Sequence, residues 1–229
     1  IFILVDENTH QHCLPTLLGN LDTDTHFEII EIESGEDAKN ISTVVQLWEI
    51  LSDFEADRKS LLLNLGGGVI TDLGGFVAST YKRGISFINI PTTLLAMCDA
   101  SIGGKTGIDH QYLKNIVGTS AEAEHILVYP EFLKTLDFVE LRSGFAEMLK
   151  HGLIADVSHW NDLITIEELT PENIAPHIEN SMMIKENVVV KDYKEKSLRK
   201  ILNFGHTIGH AVESLCLKTH QVIPHGEAV

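Results

Sequence analysis

Two histidines four residues apart, His206 and His210, lie in the segment Leu202–Ala211, which also has glycine at positions 205 and 209. On a helix, residues four apart share a face, so the imidazoles would lie one turn apart and the glycines would leave a parallel track without side chains. Such a track lets another backbone or a ligand approach closely. Paired imidazoles form half of a metal site or a pair of proton-handling groups. The structural alternative is an amphipathic helix with two ordinary histidines.

Two more candidate metal ligands lie elsewhere in the chain, at Glu147 and His225. Two histidines and one carboxylate with an open position are typical of catalytic rather than structural zinc. Spacing alone favours His206 with His210, although the HExxH pattern is absent because no glutamate follows the first histidine. The sequence by itself does not decide which three of the four side chains converge.

A glycine-rich segment, Gly66–Phe76, follows the apolar run Ser60–Leu65. A strand, a glycine turn and a helix together form the geometry in which backbone N–H groups and a helix N-terminus hold a diphosphate. The pattern departs from GxGxxG because Thr71 stands within it, and a tight strand-to-helix turn is the structural alternative. Asp72, in the first helical turn, would suit the helix dipole or a ribose hydroxyl.

A second glycine-rich segment, Asp99–Gly107, resembles a P-loop but has Asp99 where the first glycine is required. This departure excludes a nucleoside triphosphatase loop. Lys105, on a flexible glycine turn, can still bind a phosphate or carboxylate as a point charge.

The elements that must position these residues change in character along the chain. The early part alternates strands with helices, and strands are expected at Ile1–Val5, His26–Ile32, Ser60–Leu65, Ser86–Ile90 and Ile126–Val128. Ser34–Asp37 has the Ser-x-x-acid form of a helix start, and Pro91 is placed to open another helix. From about Asp137 the segments are helical, with a capped start at Thr170. We therefore predict an α/β, Rossmann-like nucleotide-binding domain over residues 1–136 and an all-α metal-binding domain over residues 137–229.

Composition narrows the class of protein. The chain has 229 residues, of which 44% are hydrophobic, and no apolar run of the roughly 20 residues that span a bilayer, so a soluble, cytoplasmic protein is expected. Three scattered cysteines give no disulfide framework. The net charge of −16 argues against nucleic acid and anionic membranes as partners. Several of the 17 basic residues nevertheless lie at the motifs, which indicates a small anionic substrate; they are Lys82, Arg83, Lys105, Lys114, Lys150, Lys185 and Arg199.

Seven motifs, in order along the whole chain, resemble those of the 3-dehydroquinate synthase family of sugar-phosphate cyclases. They are Gly67–Asp72, Pro91–Ala96, Asp99–Thr106, Lys114–Asn115, Phe145–Lys150, Arg199–Ala211 and His225–Glu227. Thr71 departs from the family, which often has glycine there. Members also continue beyond the last motif, and this chain starts without Met, so we expect a fragment cut at both ends that is inactive or folds poorly around its metal site.

The resemblance implies an NAD-dependent, zinc-dependent lyase of the shikimate pathway, with cobalt as a possible replacement for zinc. Such an enzyme converts 3-deoxy-D-arabino-heptulosonate 7-phosphate into 3-dehydroquinate and phosphate. The resemblance also implies that Glu147, His206 and His225 bind the metal and that His210 faces the substrate, which overrides the pairing favoured by spacing.

Further site residues follow from the same motif matches. Catalytic or substrate-binding roles are implied for Arg83, Lys105, Asn115, Lys150, Lys185, Arg199, Asn203 and His210. Cofactor-binding roles are implied for Asp6, Ser34, Gly35, Glu36, Asp37, Ala38, Lys39, Gly68, Val69, Ile70, Thr71, Asp72, Thr92, Thr93, Asp99, Lys105, Lys114, Phe132, Leu133, Lys134 and Thr135.

Three other functions compete with this interpretation. The first is another sugar-phosphate cyclase, similar to 2-deoxy-scyllo-inosose synthase; Lys185, Arg199 and Asn203 favour a carboxylated substrate instead. The second is a metal-dependent polyol dehydrogenase, and the third is a binding module that retains only the fold. We expect a homodimer that acts on a phosphorylated sugar acid, with neither nucleic acid nor membrane as a partner.

Overall fold

The computed structural model describes residues 1–22, 24, 26–111, 113–219, 221 and 223–229, apart from the side chain of Leu217. These residues form two compact units. The sheet unit comprises Ile1–Thr92 and Gly104–Phe132, and the helical unit comprises Thr93–Gly103 and Leu133–Val229. The predicted fold class, an α/β part followed by an all-α part, is confirmed, since the described residues of the helical unit contain no strand.

The sheet unit is built on a five-stranded parallel sheet and a separate antiparallel hairpin. The strands are β1 Phe2–Asp6, β2 Glu28–Ile32, β3 Leu61–Gly66, β4 Ser86–Pro91, β5 Lys105–His110, β6 Leu113–Ser120 and β7 His125–Ile126. The parallel sheet has the order β2-β1-β3-β4-β7, and β5 and β6 form the hairpin. The chain therefore reverses its direction of travel across the sheet between β1 and β3. At such a reversal, open α/β sheets bind ligands beyond the carboxyl ends of the strands.

In the described part of this unit, four α-helices accompany the strands: α1 Glu7–His12, α2 Leu14–Leu18, α3 Ile41–Asp53 and α4 Gly68–Thr80. The apolar positions of α3, among them Val44 and Leu47, recur at helical spacing and are buried against the sheet. The hairpin packs against α4 at Gly75, where a Cβ atom would lie 2.5 Å from Thr106. A side chain at this position would clash with Thr106, so the glycine allows the hairpin to pack closely against α4.

Two predicted helix starts were wrong. Ser34 caps no helix, because Gly35 has a φ of 99° and the chain makes a short 3₁₀ turn before α3. The cap of α3 is Asn40, whose side chain accepts a hydrogen bond from Thr43 N at 3.1 Å. Pro91 ends β4, and the helical segment that follows begins only at Leu94 and runs to Ala100.

The helical unit contains five α-helices among its described residues: α5 Phe138–Ala155, α6 Val157–Ile164, α7 Pro171–Lys191, α8 His206–Lys218 and α9 His225–Ala228. The predicted cap at Thr170 is confirmed, since its hydroxyl accepts from Asn173 N at 3.3 Å. Gly205, with a φ of 82°, separates α8 from the 3₁₀ helix Leu198–Asn203. No helix in the described residues is both long enough and apolar enough to cross a membrane.

Candidate metal centre and nucleotide-binding edge

One edge of the parallel sheet gathers the predicted cofactor segments of the sheet unit. Asp6 ends β1, Ser34–Lys39 follow β2, Gly67 precedes α4 at the end of β3, and Thr92 follows β4. The carboxyl ends of parallel strands meet at a common edge, so these segments lie side by side. Gly67 provides no side-chain cap, and the first N–H groups of α4 therefore remain for another acceptor.

A buried lysine ties three parts of this edge together. Lys39 Nζ lies 2.7 Å from Asp72 Oδ2 on α4 and 2.5 Å from Asn115 Oδ1 in the hairpin. Burial lowers the pKa of Lys39, but the charges of Asp72 and Glu36 outweigh it and raise the pKa above its ordinary value. Lys39 is therefore a permanent cation that joins the loop after β2 to α4 and to the hairpin.

Neighbouring charges extend this cluster. Lys114 Nζ lies 3.1 Å from Glu36 Oε1. Burial raises the pKa of Glu36, but Lys39 and Lys114 together hold it below its ordinary value. Burial also raises the pKa of Asp109 to about 6, and Asp109 Oδ1 accepts from Asn115 N at 2.7 Å. The hairpin thus brings Lys114 and Asn115 to the loop that carries Glu36 and Lys39.

Two other predicted residues of the sheet unit are Arg83 and Lys105. Arg83 follows the C-terminal end of α4 and precedes β4, so it lies at the amino edge of the sheet, the length of a 13-residue helix, or about 20 Å, from Gly68. Lys105 begins β5 and is exposed.

In the helical unit, α5 presents a buried carboxylate to two imidazoles. Glu147 Oε1 lies 3.4 Å from His225 Nε2 and 3.8 Å from His206 Nε2, and Glu147 Oε2 pairs with Lys150 Nζ. One ligand atom from each of Glu147, His206 and His225 lies within 4.8 Å of the others. The side chain of Glu147 is only 1% exposed. Its buried negative charge must therefore be balanced by a positively charged partner.

Each of these imidazoles is held through its other nitrogen. His206 Nδ1 lies 3.2 Å from the carbonyl oxygen of Phe204, and His225 Nδ1 lies 3.1 Å from Glu213 Oε1. Because a carbonyl and a carboxylate can only accept, Nδ1 must carry the proton in both rings. Metal-ligating histidines have this arrangement, in which Nδ1 is hydrogen-bonded and Nε2 binds the ion. His225, whose Nε2 faces the carboxylate of Glu147 and whose pKa is raised, would lose its Nε2 proton when it binds a metal.

The backbone around His225 is fixed by contacts with α5. Gly226 N donates to Ser143 Oγ at 2.9 Å, and a Cβ atom at Gly226 would lie 2.3 Å from the carbonyl oxygen of Ser143. Glu227 pairs with Arg142 on α5. The short helix α9 is therefore held against α5, and its first residue is the histidine that faces Glu147.

The predicted glycine track is confirmed as a site of close approach. A Cβ atom would lie 2.6 Å from the carbonyl oxygen of Val229 at Gly205, and 3.0 Å from that of Ala228 at Gly209. The end of α9 thus lies directly on the track, which keeps His225 beside His206; the two ring centroids are 5.0 Å apart.

The charges of this cluster suit a divalent cation. Burial raises the pKa of Glu147, but His225 and Lys150 hold it below its ordinary value. Burial lowers the pKa of His225, whereas Glu147 and Glu213 raise it to about 9. Burial, followed by the charge of Lys150, lowers the pKa of His206. An anionic carboxylate, a neutral imidazole and a second imidazole held between two carboxylates form a set into which a cation fits.

Two further sets of donors overlap with this one. His210, Glu213 and His225 form one, and Asp99, Glu147 and His151 form the other. The second set is already engaged, because Lys185 Nζ lies 2.7 Å from Asp99 Oδ1 and Ser181 Oγ lies 2.7 Å from His151 Nδ1. In the set formed by His210, Glu213 and His225, Glu213 contacts Nδ1 of His225, the ring nitrogen that faces away from Glu147.

The remaining predicted residues of the helical unit lie around these clusters. Lys185 also donates to the carbonyl oxygen of Asp99 at 2.6 Å, and Arg199 donates to the carbonyl oxygens of Gly103 at 2.9 Å and Tyr193 at 2.8 Å. Asn203 contacts Glu195, and the ring centroid of His210 lies 5.0 Å from that of His206. Thr93 and Leu133–Thr135 belong to the helical unit and Phe132 to the sheet unit.

Glu213 and Ser143 were not predicted from the sequence. Glu213 lies three residues after His210 and seven after His206, on the same face of α8, and this helical spacing was the signal that could have found it. No comparable signal exists for Ser143, because its contact with Gly226 joins residues 83 positions apart.

Comparison with known proteins gives consistent matches over the chain. Residues 29–143 match the family model described as 3-dehydroquinate synthase N-terminal, and residues 144–229 match the model described as 3-dehydroquinate synthase C-terminal. A relative from Parabacteroides distasonis, named 3-dehydroquinate synthase, is 45% identical over 231 residues, which cover all of this chain and 65% of the relative. The chain thus spans about two thirds of the length of that curated relative.

Two solved structures are similar to the chain over 99% of its length. The first is 2-epi-5-epi-valiolone synthase from Streptomyces hygroscopicus subsp. jinggangensis with NAD+ and Zn2+ bound, with a TM-score of 0.90, 32% identity and 64% of that chain covered. The second is 2-deoxy-scyllo-inosose synthase in complex with carbaglucose-6-phosphate, NAD+ and Co2+, with a TM-score of 0.84, 27% identity and 63% of that chain covered.

Proposed function

Because the chain belongs to the 3-dehydroquinate synthase family, we propose that its protein converts 3-deoxy-D-arabino-heptulosonate 7-phosphate into 3-dehydroquinate and phosphate. The observation that carries this proposal is the convergence of Glu147 with the Nε2 atoms of His206 and His225. The identity of 45% to a relative named 3-dehydroquinate synthase, against 32% and 27% to two other cyclases, favours this substrate over theirs.

The metal would be held by Glu147, His206 and His225. Zinc bound there would polarise a substrate hydroxyl and lower its pKa, which makes removal of a hydride from the adjoining carbon easier. Lys150, paired with Glu147 and buried beside it, offsets negative charge at the centre. Phe204 and Glu213 accept the Nδ1 protons of His206 and His225, so Nε2 of each ring would be the atom that binds the ion.

NAD would be held at the carboxyl edge of the sheet unit. Bound there, it would accept a hydride from the substrate and later return it, so that no NADH accumulates. The N–H groups at the start of α4 would donate to its diphosphate, and Asp72 and Asp6 would accept from its hydroxyl groups. Lys39 fixes the orientation of Asp72 for this role. The predicted roles of Thr92, Thr93, Lys105 and Phe132–Thr135 belong to the same proposal.

Cations of the helical unit would bind the anionic groups of the substrate. Lys185 is buried, and burial lowers its pKa although Asp99 raises it, so its charge depends on the carboxylate beside it. Arg199 spends two N–H groups on backbone carbonyls, which fixes its guanidinium and leaves its remaining N–H donors for a carboxylate. Asn203 and His210 would contact the same substrate, and Arg83 is proposed for it by motif match alone.

The test is phosphate release from 3-deoxy-D-arabino-heptulosonate 7-phosphate, followed together with absorbance at the NADH band. We expect phosphate release that stops when a chelator is added and resumes with zinc, without net NADH. Steady NADH formation without phosphate would instead identify a polyol dehydrogenase. Phosphate release from glucose 6-phosphate but not from the sugar acid would identify another cyclase.

A further inference from the structure

Glu213 is a buried carboxylate on α8, a helix on which its immediate neighbours Val212 and Ser214 are half-buried. It is 3% exposed, whereas His210, Ala211 and Leu215 on the same helix are exposed. A carboxylate that leaves water loses hydration, which its contacts must replace. Glu213 Oε1 lies 3.1 Å from Nδ1 of His225, which is a candidate metal ligand.

The two histidines of the centre are supported differently. The Nδ1 proton of His206 goes to a backbone carbonyl two residues before it, so the local turn orients that ring. His225 lies at the first position of a four-residue helix, and its Nδ1 proton goes to a side chain on a different helix, 12 residues away in sequence. The Nδ1 side of the His225 ring is therefore held by a side chain of α8 and not by the local backbone.

We propose that Glu213 is a positioning residue for the metal centre: by accepting Nδ1–H of His225, it fixes the tautomer and the ring orientation that aim Nε2 at Glu147. The inference rests on the proposed metal site and adds to it an outer partner of one ligand. Rotation of the ring would move Nε2 away from Glu147 Oε1, which lies 3.4 Å from it, and the opposite tautomer would leave Nε2 protonated and unable to bind the ion. Loss of an outer hydrogen-bonding partner lowers metal affinity about 10- to 100-fold in other proteins.

The test is titration of the metal-free chain with Co2+, followed by the visible absorption of the bound ion, for the variants Glu213→Ala and Glu213→Gln. Glutamine keeps an oxygen that can accept Nδ1–H, whereas alanine removes it. We expect the alanine variant to bind Co2+ about 10- to 100-fold more weakly and the glutamine variant to stay within about fivefold of the original, with the same absorption bands. Glu186→Gln, which removes an exposed carboxylate of the same unit, controls for loss of one negative charge.

Two results would overturn the inference: a Glu213→Ala variant that binds as tightly as the original chain, or a Glu213→Gln variant as weak as the alanine variant. If alanine prevents folding, as judged by circular dichroism of the metal-free chain, nitrogen NMR of the zinc-loaded Glu213→Gln variant decides. Nδ1 of His225 must then be protonated and Nε2 bound to zinc, and the opposite tautomer would contradict the inference. The metal site itself fails separately, if the original chain binds no Co2+ or if His206→Ala binds it unchanged.

Discussion

The two units of this chain bury charge in different ways. In the sheet unit, buried Lys39 already has its partners, Asp72 and Asn115, and the pair joins three segments of backbone. In the helical unit, buried Glu147 faces two imidazoles. Its Oε1 atom lies 3.4 Å from Nε2 of His225 and 3.8 Å from Nε2 of His206. The first cluster is complete within the chain, whereas the second is a set of donors that a cation would complete. The buried lysine therefore clamps backbone segments together beside the proposed NAD site, whereas the buried carboxylate is a candidate ligand of a metal ion.

The largest effect expected from this comparison is loss of stability when the clamp is broken. Lys39→Met leaves Asp72 and Asn115 without the cation between them, and removal of one partner of a buried ion pair destabilises by about 3–5 kcal/mol. Urea unfolding should show this loss, while zinc affinity should not change. Lys59→Met, at an exposed lysine, is the control. A loss no greater than that of the control would mean that Lys39 is not a clamp.

The next effect concerns the incomplete cluster, which zinc should stabilise. At free zinc of about 100 times its dissociation constant, binding to the folded chain alone adds about 2.7 kcal/mol to the free energy of unfolding. Thermal unfolding with and without zinc measures this gain, and Glu147→Gln should abolish it. Equal stabilisation of that variant would place the ion elsewhere.

Acid should weaken the helical unit through a histidine outside the metal centre. His159 on α6 is fully buried, and neither of its ring nitrogens has a hydrogen-bond partner among the described residues. Burial, together with His151 and His177, lowers the pKa of His159, and Asp156 and Asp162 oppose this. The folded chain therefore binds this proton less readily than the unfolded chain, so the stabilisation is complete above the unfolded pKa of about 6.5 and is lost as the pH falls below it.

Urea unfolding between pH 7.5 and 5.0 measures this dependence. Its slope from one group is at most about 1.4 kcal/mol per pH unit. His159→Leu should flatten the decline relative to the original chain. A decline of the same slope in both chains would assign the acid sensitivity to other groups.

The smallest effect is expected at the glycine track. In Gly209→Ala the new Cβ atom would lie 2.8 Å from Val229 Cγ2 and 3.0 Å from the carbonyl oxygen of Ala228, so α9 must shift. We expect a loss of Co2+ affinity of less than about tenfold, below that of losing an outer partner. Ala211→Gly, on the exposed part of α8, is the control. Unchanged affinity in Gly209→Ala would show that the track does not position His225.

The strands of the parallel sheet, the helical character of the second half and the cap at Thr170 could be predicted from the sequence because each depends on a local pattern. The hairpin strands β5 and β6 were not predicted. The Ser34 cap failed because Gly35, one residue later, imposed a left-handed turn on the backbone. The pairing of His206 with His210 as ligands was favoured by spacing, but the position of His225 depends on contacts of α9 with α5 and α8, and no local pattern records them. Helical spacing from His206 and His210 could have predicted Glu213, whereas no local spacing relates Ser143 to Gly226.

X-ray diffraction from zinc-soaked crystals, recorded on either side of the zinc absorption edge, tests the central claim most directly. We predict one anomalous peak, bound by Glu147 and by the Nε2 atoms of His206 and His225. A peak bound by His210, Glu213 and Nδ1 of His225 would contradict the account, because Glu213 would then be a ligand and not the support of one.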